Sequence, residues 1–167
     1  RSSTELQANI SAGSTANAGV RDVSVTNSGP GGGTATLSGG FTVSNPAPTI
    51  VSISPTSAGR GSLVNVTVTG TQFISGVTSA SFGPAITVAS PIFKSSSELQ
   101  VSISIGATAA TGVRAVSVTN ASPGGGTVSL AGGFNVTTNL ATGIEGELGV
   151  IPDQYVLQEA YPNPFNP

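Results

Sequence analysis

Residues 25–43 read VTNSGPGGGTATLSGGFTV, and residues 118–136 read VTNASPGGGTVSLAGGFNV. One unit is written twice, 93 residues apart. The match runs further than these two stretches. Arg1–Ser44 aligns with Lys94–Thr137 without a gap, and 28 of the 44 positions are identical. An internal repeat fixes architecture before any other signal does. This interval is too long for a helical solenoid and suits a small β-sandwich.

Strand patterns fill the longer copy. In LVNVTVTG (63–70), Val64, Val66 and Val68 alternate with Asn65, Thr67 and Thr69. In LQVSISI (99–105), Leu99, Val101, Ile103 and Ile105 alternate with Gln100, Ser102 and Ser104. A period of two gives each strand one apolar face and one wet face. Further short runs lie at 49–54, 78–83, 85–89, 113–120 and 127–136, separated by Gly, Pro, Asn and Ser clusters. Such clusters supply the turns between strands. No segment carries a helical period of useful length. The expected fold is all-β, an Ig-like sandwich of about seven strands. Its expected core is Val64, Val66, Val68, Leu99, Val101, Ile103, Val116, Val118 and Phe134.

Composition narrows the chemistry. The chain of 167 residues has 7% charged side chains and a net charge of −2, without a basic run. That argues against nucleic acid as a partner. No apolar stretch approaches the roughly 20 residues that cross a bilayer as a helix, so membrane insertion of that kind is not expected. Cys, His, Trp and Met are absent. Thiol and imidazole chemistry and the common ligands of zinc, copper and haem go with them. The triple glycines Gly31–Gly33 and Gly124–Gly126 lack the Lys-Ser or Lys-Thr and the helix of a phosphate loop. A hairpin turn that needs positive φ accounts for them. LSGGF and LAGGF read as a bulge that returns Phe41 and Phe134 to the core.

In order, PTIVSISPTSAGRGSLVNVTVTGTQF, SFGPAITV, SSSELQVSISI, TGVRAVSVTN and the GGF before Asn135-Val136 resemble the IPT/TIG family of immunoglobulin-like domains. The resemblance spans residues 47–137, and it implies a β-sandwich used as a spacer or adhesive module in bacterial surface proteins. Residues 1–45 then look like the back half of a second such unit, and 46–138 like a complete one. Residues 139–167 look like a linker and the entry to another domain. There, IPDQYVLQEAYPNPFNP (151–167) resembles the start of the C-terminal sorting domain of type IX secretion substrates. That resemblance implies a secreted or cell-surface bacterial protein.

Candidate chemistry is sparse. The acids are Glu5, Asp22, Glu98, Glu145, Glu147, Asp153 and Glu159. Glu5 and Glu98 occupy equivalent repeat positions, which sets them in different units. Asp22 is replaced by Ala115 in the other copy, and Glu145 and Glu147 sit in a Gly-rich connector. No acid and base pair is placed for hydrolysis, and no Asp-rich calcium loop is present. No catalytic, cofactor-binding or metal-binding residue is therefore assigned. Arg21 and Arg114 share parity with inward valines and are expected at the sandwich rim, with stems packed and heads wet. Glu5 and Glu98 are candidate partners for them. Asn9, Asn65, Asn120 and Asn135 open glycosylation sequons, which arise readily by chance in Ser/Thr-rich strands.

The expected function is a non-enzymatic structural module of a secreted or surface protein. Half a sandwich exposes an apolar face and bare strand edges. The missing front strands either lie outside this chain or come from a neighbouring copy by strand complementation. The second case gives head-to-tail self-association into a homopolymer or fibre. Leu148, Val150, Ile151, Tyr155, Val156, Leu157, Tyr161 and Phe165 in the tail are candidate inter-subunit contacts. The alternative is a carbohydrate-binding or adhesive accessory domain. Such sites usually expose aromatic platforms. Here the two tyrosines, Tyr155 and Tyr161, both lie in the tail, and the six phenylalanines are expected to be mostly buried.

Overall fold

The computed structural model describes residues 4–13 and 16–139. Among these residues there is no helix, and eleven strands follow one another. A hairpin comes first, of β1 (Gly19–Thr26) and β2 (Thr34–Val43). Next come β3 (Thr49–Ser54), β4 (Ser57–Gly59), β5 (Leu63–Thr71), β6 (Thr78–Ser81) and β7 (Ile86–Val88). The last four are β8 (Ile92–Ser95), β9 (Glu98–Ile105), β10 (Gly112–Asn120) and β11 (Gly126–Thr137).

Strands β3 to β11 make an Ig-like sandwich. One sheet has the order β3-β5-β9-β7, with β8 also on β9; the other has the order β4-β11-β10-β6. The alternation in the sequence decides which side chains lie between them. Val66 and Val68 are buried, while Asn65 and Thr69 face outward on the same strand. The β5–β9 register sets Val66 opposite Val101 and Val68 opposite Leu99. A slip of one residue would turn both sets to water. From the second sheet, Val116, Val118, Phe134 and Val136 complete the core. The Phe134 ring meets Phe82 edge to face, centroids 5.5 Å apart and planes at 88°. That geometry sets the positive ring edge of one against the negative face of the other.

Eight of the nine expected core residues are fully buried; Val64, near the start of β5, is half-buried and packs on the same cluster. The sandwich has nine strands rather than about seven, because Ser57–Gly59 carries small turn-type residues and Ile92–Ser95 does not alternate, so neither β4 nor β8 shows a strand pattern. β4 runs parallel to β11, and β8 folds back on β9. Of the phenylalanines, Phe73, Phe82 and Phe134 are buried, but Phe93 on β8 is exposed.

The turn at Gly124–Gly126 has positive φ at all three glycines, as expected, whereas in Gly31–Gly33 only Gly31 has it. At Gly125, φ is +68°, and a Cβ there would lie 2.2 Å from the Asn120 carbonyl oxygen. Any other residue would force the turn open. The LSGGF bulge is equally local. Register shifts between Arg21 and Val23, and again between Arg114 and Val116, so a three-residue segment of β2 or β11 opposes one residue.

Placing a carboxylate at Val101 should cost about 3–5 kcal/mol, since the charge would be buried without a partner. Ser104→Asp, on the exposed face of the same strand, should change stability by less than about 0.5 kcal/mol. Urea unfolding of the two variants separates them, and equal midpoints would contradict the facing.

Candidate functional site

The β1–β2 hairpin repeats the β10–β11 hairpin pair for pair. Val23 faces Leu37 as Val116 faces Leu130, and Val25 faces Ala35 as Val118 faces Val128. Burial, however, differs completely. Val116 and Val118 are 0% exposed, while Val23 and Val25 are 37% and 44% exposed and Leu37 is 65% exposed. Phe41 and Val43 are half-buried, against fully buried Phe134 and Val136. Val20 and Val113 act as a control on the other face, being open to water in both copies. The hairpin thus presents the inner surface of a sandwich without an opposing sheet. A two-stranded hairpin is marginal by itself in water, and such a face favours association.

The segment after β2 ties this hairpin to the sandwich. Asn45 N donates to Pro123 O at 2.7 Å, and Gly125 N donates back to Asn45 O at 2.6 Å. The Asn45 side chain adds Nδ2 to Ala121 O, also at 2.6 Å. Three bonds to one turn hold the junction at a single residue. Just below, Asn120 is 1% exposed and fully used. Its Oδ1 accepts from Thr78 Oγ1 at 2.6 Å, and its Nδ2 donates to Pro46 O and Gln72 O. Burying an amide is tolerable only when its bonds are made, and here they join the linker, the front half and the back half. Neither asparagine was assigned a role from sequence. In the sequence Asn120 closes the strand run 113–120 and opens a sequon, and its parity with Val116 and Val118 already points it inward.

The remaining candidates disperse. The Arg114 guanidinium donates to Pro84 O and Ala110 O, and Arg21 donates to Asn17 O and Val20 O. Carbonyls, not Glu98 or Glu5, hold the two heads. Arg114 is half-buried, but against expectation its Nε is buried without a hydrogen-bond partner instead of wet, and Arg21 is exposed. Asp22 accepts from Ser38 Oγ and from Gly39 N, pinning the bulge of its own hairpin. Among the described residues no group of three or more His, Cys, Asp or Glu comes together. Residues Leu148, Val150, Ile151, Tyr155, Val156, Leu157, Tyr161 and Phe165 lie outside the described residues. A cleft of about 850 Å³ opens beside the junction, lined by Asn17, Asn45, Ser75, Phe93, Ser95 and Ser122 among others.

Residues 47–130 match the family model of the quinohemoprotein amine dehydrogenase alpha subunit domain III. The matched span runs from the linker through β3 to the middle of β11. No curated protein matches the chain.

Asn120→Ala should lower stability by about 2–4 kcal/mol, because it strands Thr78 Oγ1 and two carbonyls inside the fold. The urea midpoint should fall accordingly. Asn27→Ala, at the equivalent position of the exposed hairpin, should leave the midpoint where it is.

Proposed function

The chain belongs to the quinohemoprotein amine dehydrogenase alpha subunit domain III family, and we propose that it acts as a non-enzymatic structural module. In this reading it serves a secreted or cell-surface protein in which such sandwiches are joined end to end into a stalk or fibre. The observation that carries the proposal is the Asn45 junction. A spacer must pass orientation from one unit to the next, and a junction hydrogen-bonded to the following unit does so where a bare linker would not. The family's description agrees with a supporting part, since it names one domain of a larger subunit. The IPT/TIG resemblance points to the same use, and the YPNPFNP resemblance at 161–167 points to type IX export.

A second reading rests on the cleft. Phe93 is exposed there beside asparagine and serine side chains, and sugar sites combine an aromatic surface with such hydrogen-bonding groups. The aromatic is a single Phe rather than a Trp or Tyr platform, which ranks this reading second.

Two measurements on the purified chain test the proposal. Nuclear spin relaxation should give the β1–β2 hairpin the tumbling time of the sandwich, and Asn45→Ala should shorten it. A glycan array with cellulose and chitin pull-downs should show no retention. Independent tumbling of the wild-type hairpin would remove the spacer reading. Retention on one glycan class, abolished by Phe93→Ala, would install the accessory-domain reading in its place.

A further inference from the structure

We infer that the β1–β2 hairpin is a docking surface for a front strand set of the kind formed by residues 46–93, and that Asn27 is its polar anchor. The inference deepens the structural-module reading by naming what the open face takes. Four separate observations identify the occupant, and all four are differences between positions 93 residues apart.

The apolar face is the first. Val23, Val25 and Leu37 are open, whereas the equivalent Val116, Val118 and Leu130 pack on the sheet that β3, β5 and β7 build with β9. The second is the segment Glu5–Ala12. It repeats β9, with Leu6, Gln7, Ile10 and Ser11 identical to Leu99, Gln100, Ile103 and Ser104. Yet it forms no strand, and Leu6 and Ile10 are 70% and 63% exposed where Leu99 and Ile103 are 1% and 0%. β9 is flanked by β5 and β7, which lie within 46–93, and by β8, which begins there at Ile92. A strand needs a ladder on at least one side, and Glu5–Ala12 has none.

The third is Asn27. Its repeat partner Asn120 makes three side-chain bonds, to Thr78, Gln72 and Pro46, all between 46 and 93. The Asn27 side chain is exposed and makes none of them. The fourth is Arg21. Arg114 spans from its own loop at Ala110 to Pro84 in the front half, while Arg21 reaches the equivalent Asn17 carbonyl and then turns back to Val20. Every missing contact traces to one stretch. Both outer edges of the hairpin agree, since β10 pairs with β6 and β11 with β4.

The 46–93 strands already cover residues 94–137 of their own chain. The occupant of the β1–β2 hairpin is therefore a further front half.

The test is the full chain carrying a duplicate of residues 46–93 joined directly ahead of Arg1, which reproduces the Phe93–Lys94 connection. Hydrogen exchange at Leu6, Ile10, Val23, Val25 and Phe41 should slow by at least roughly a hundredfold. Amides of Val116 and Val118 serve as internal reference. Asn27→Ala in the extended chain should lose most of that protection, and in the parent chain should change nothing. Unchanged exchange at Val23 and Val25 beside a protected Val116 overturns the inference. So does protection already present in the parent chain, whether it rises with concentration (a second copy is the occupant) or vanishes on removal of residues 140–167 (the tail is). A measurement on the parent chain alone does not require the extension to fold. Leu6→Asp with Val25→Asp should leave its melting temperature unmoved, and a clear fall would mean that something else already covers the face. Glycan retention would remove the spacer reading without touching any of these outcomes.

Discussion

A β-strand with one apolar face cannot satisfy itself. Hydrogen bonds are made sideways, to neighbours in the sheet, but the apolar side chains need a second sheet about 10 Å away. Among the described residues that requirement is met between the sheet β3-β5-β9-β7 and the sheet β4-β11-β10-β6. The open inner face of β1–β2 follows from its not being met there. The two hairpins share bulge and register, so these are settled locally by residues such as Gly39 and Gly132. Their turns differ, with positive φ at Gly124, Gly125 and Gly126 in one and at Gly29 and Gly31 in the other. Burial is not settled locally. Val25 and Val118 sit in the same sequence context and differ entirely in contact with water.

Polar groups then decide how the halves are locked in place. Apolar burial is strong but non-directional, and two sheets held by it alone could slide. Asn120 removes that freedom. Its three bonds to Thr78, Gln72 and Pro46 are compatible with one placement of back half, front half and linker. The Asn45 bonds to Ala121, Pro123 and Gly125 extend the lock to the preceding unit. The same turn thus seals one sandwich and orients its neighbour. With 7% charged residues, the chain has little else from which to build specific long-range contacts.

Much of this was legible in the sequence. Alternation placed β5 and β9 and their buried faces, and the repeat matched the β1–β2 hairpin to β10–β11. Strands β4 and β8 escaped, because Ser57–Gly59 carries small turn-type residues and Ile92–Ser95 does not alternate. The inward role of Asn120 was hidden because its partners Thr78, Gln72 and Pro46 lie more than 40 residues away and only the fold brings them together. The exposed Phe93 was hidden by the opposite habit, an aromatic in a strand being counted as core. The guanidiniums of Arg21 and Arg114 were matched with acids, but the carbonyls that take them belong to loops whose path only the fold defines.

Glu5–Ala12 shows most directly what sequence does not contain. Its residues match β9 at most positions, and in β9 they form the central strand of a five-stranded sheet. Without neighbours they form none. Strand propensity is therefore a statement about fit to a pleated, half-buried surface, not a preference carried by the backbone itself. Leu6 and Ile10 are 70% and 63% exposed where the identical residue types Leu99 and Ile103 are 1% and 0% exposed, so what separates the two segments is the neighbouring strands and not the residues themselves.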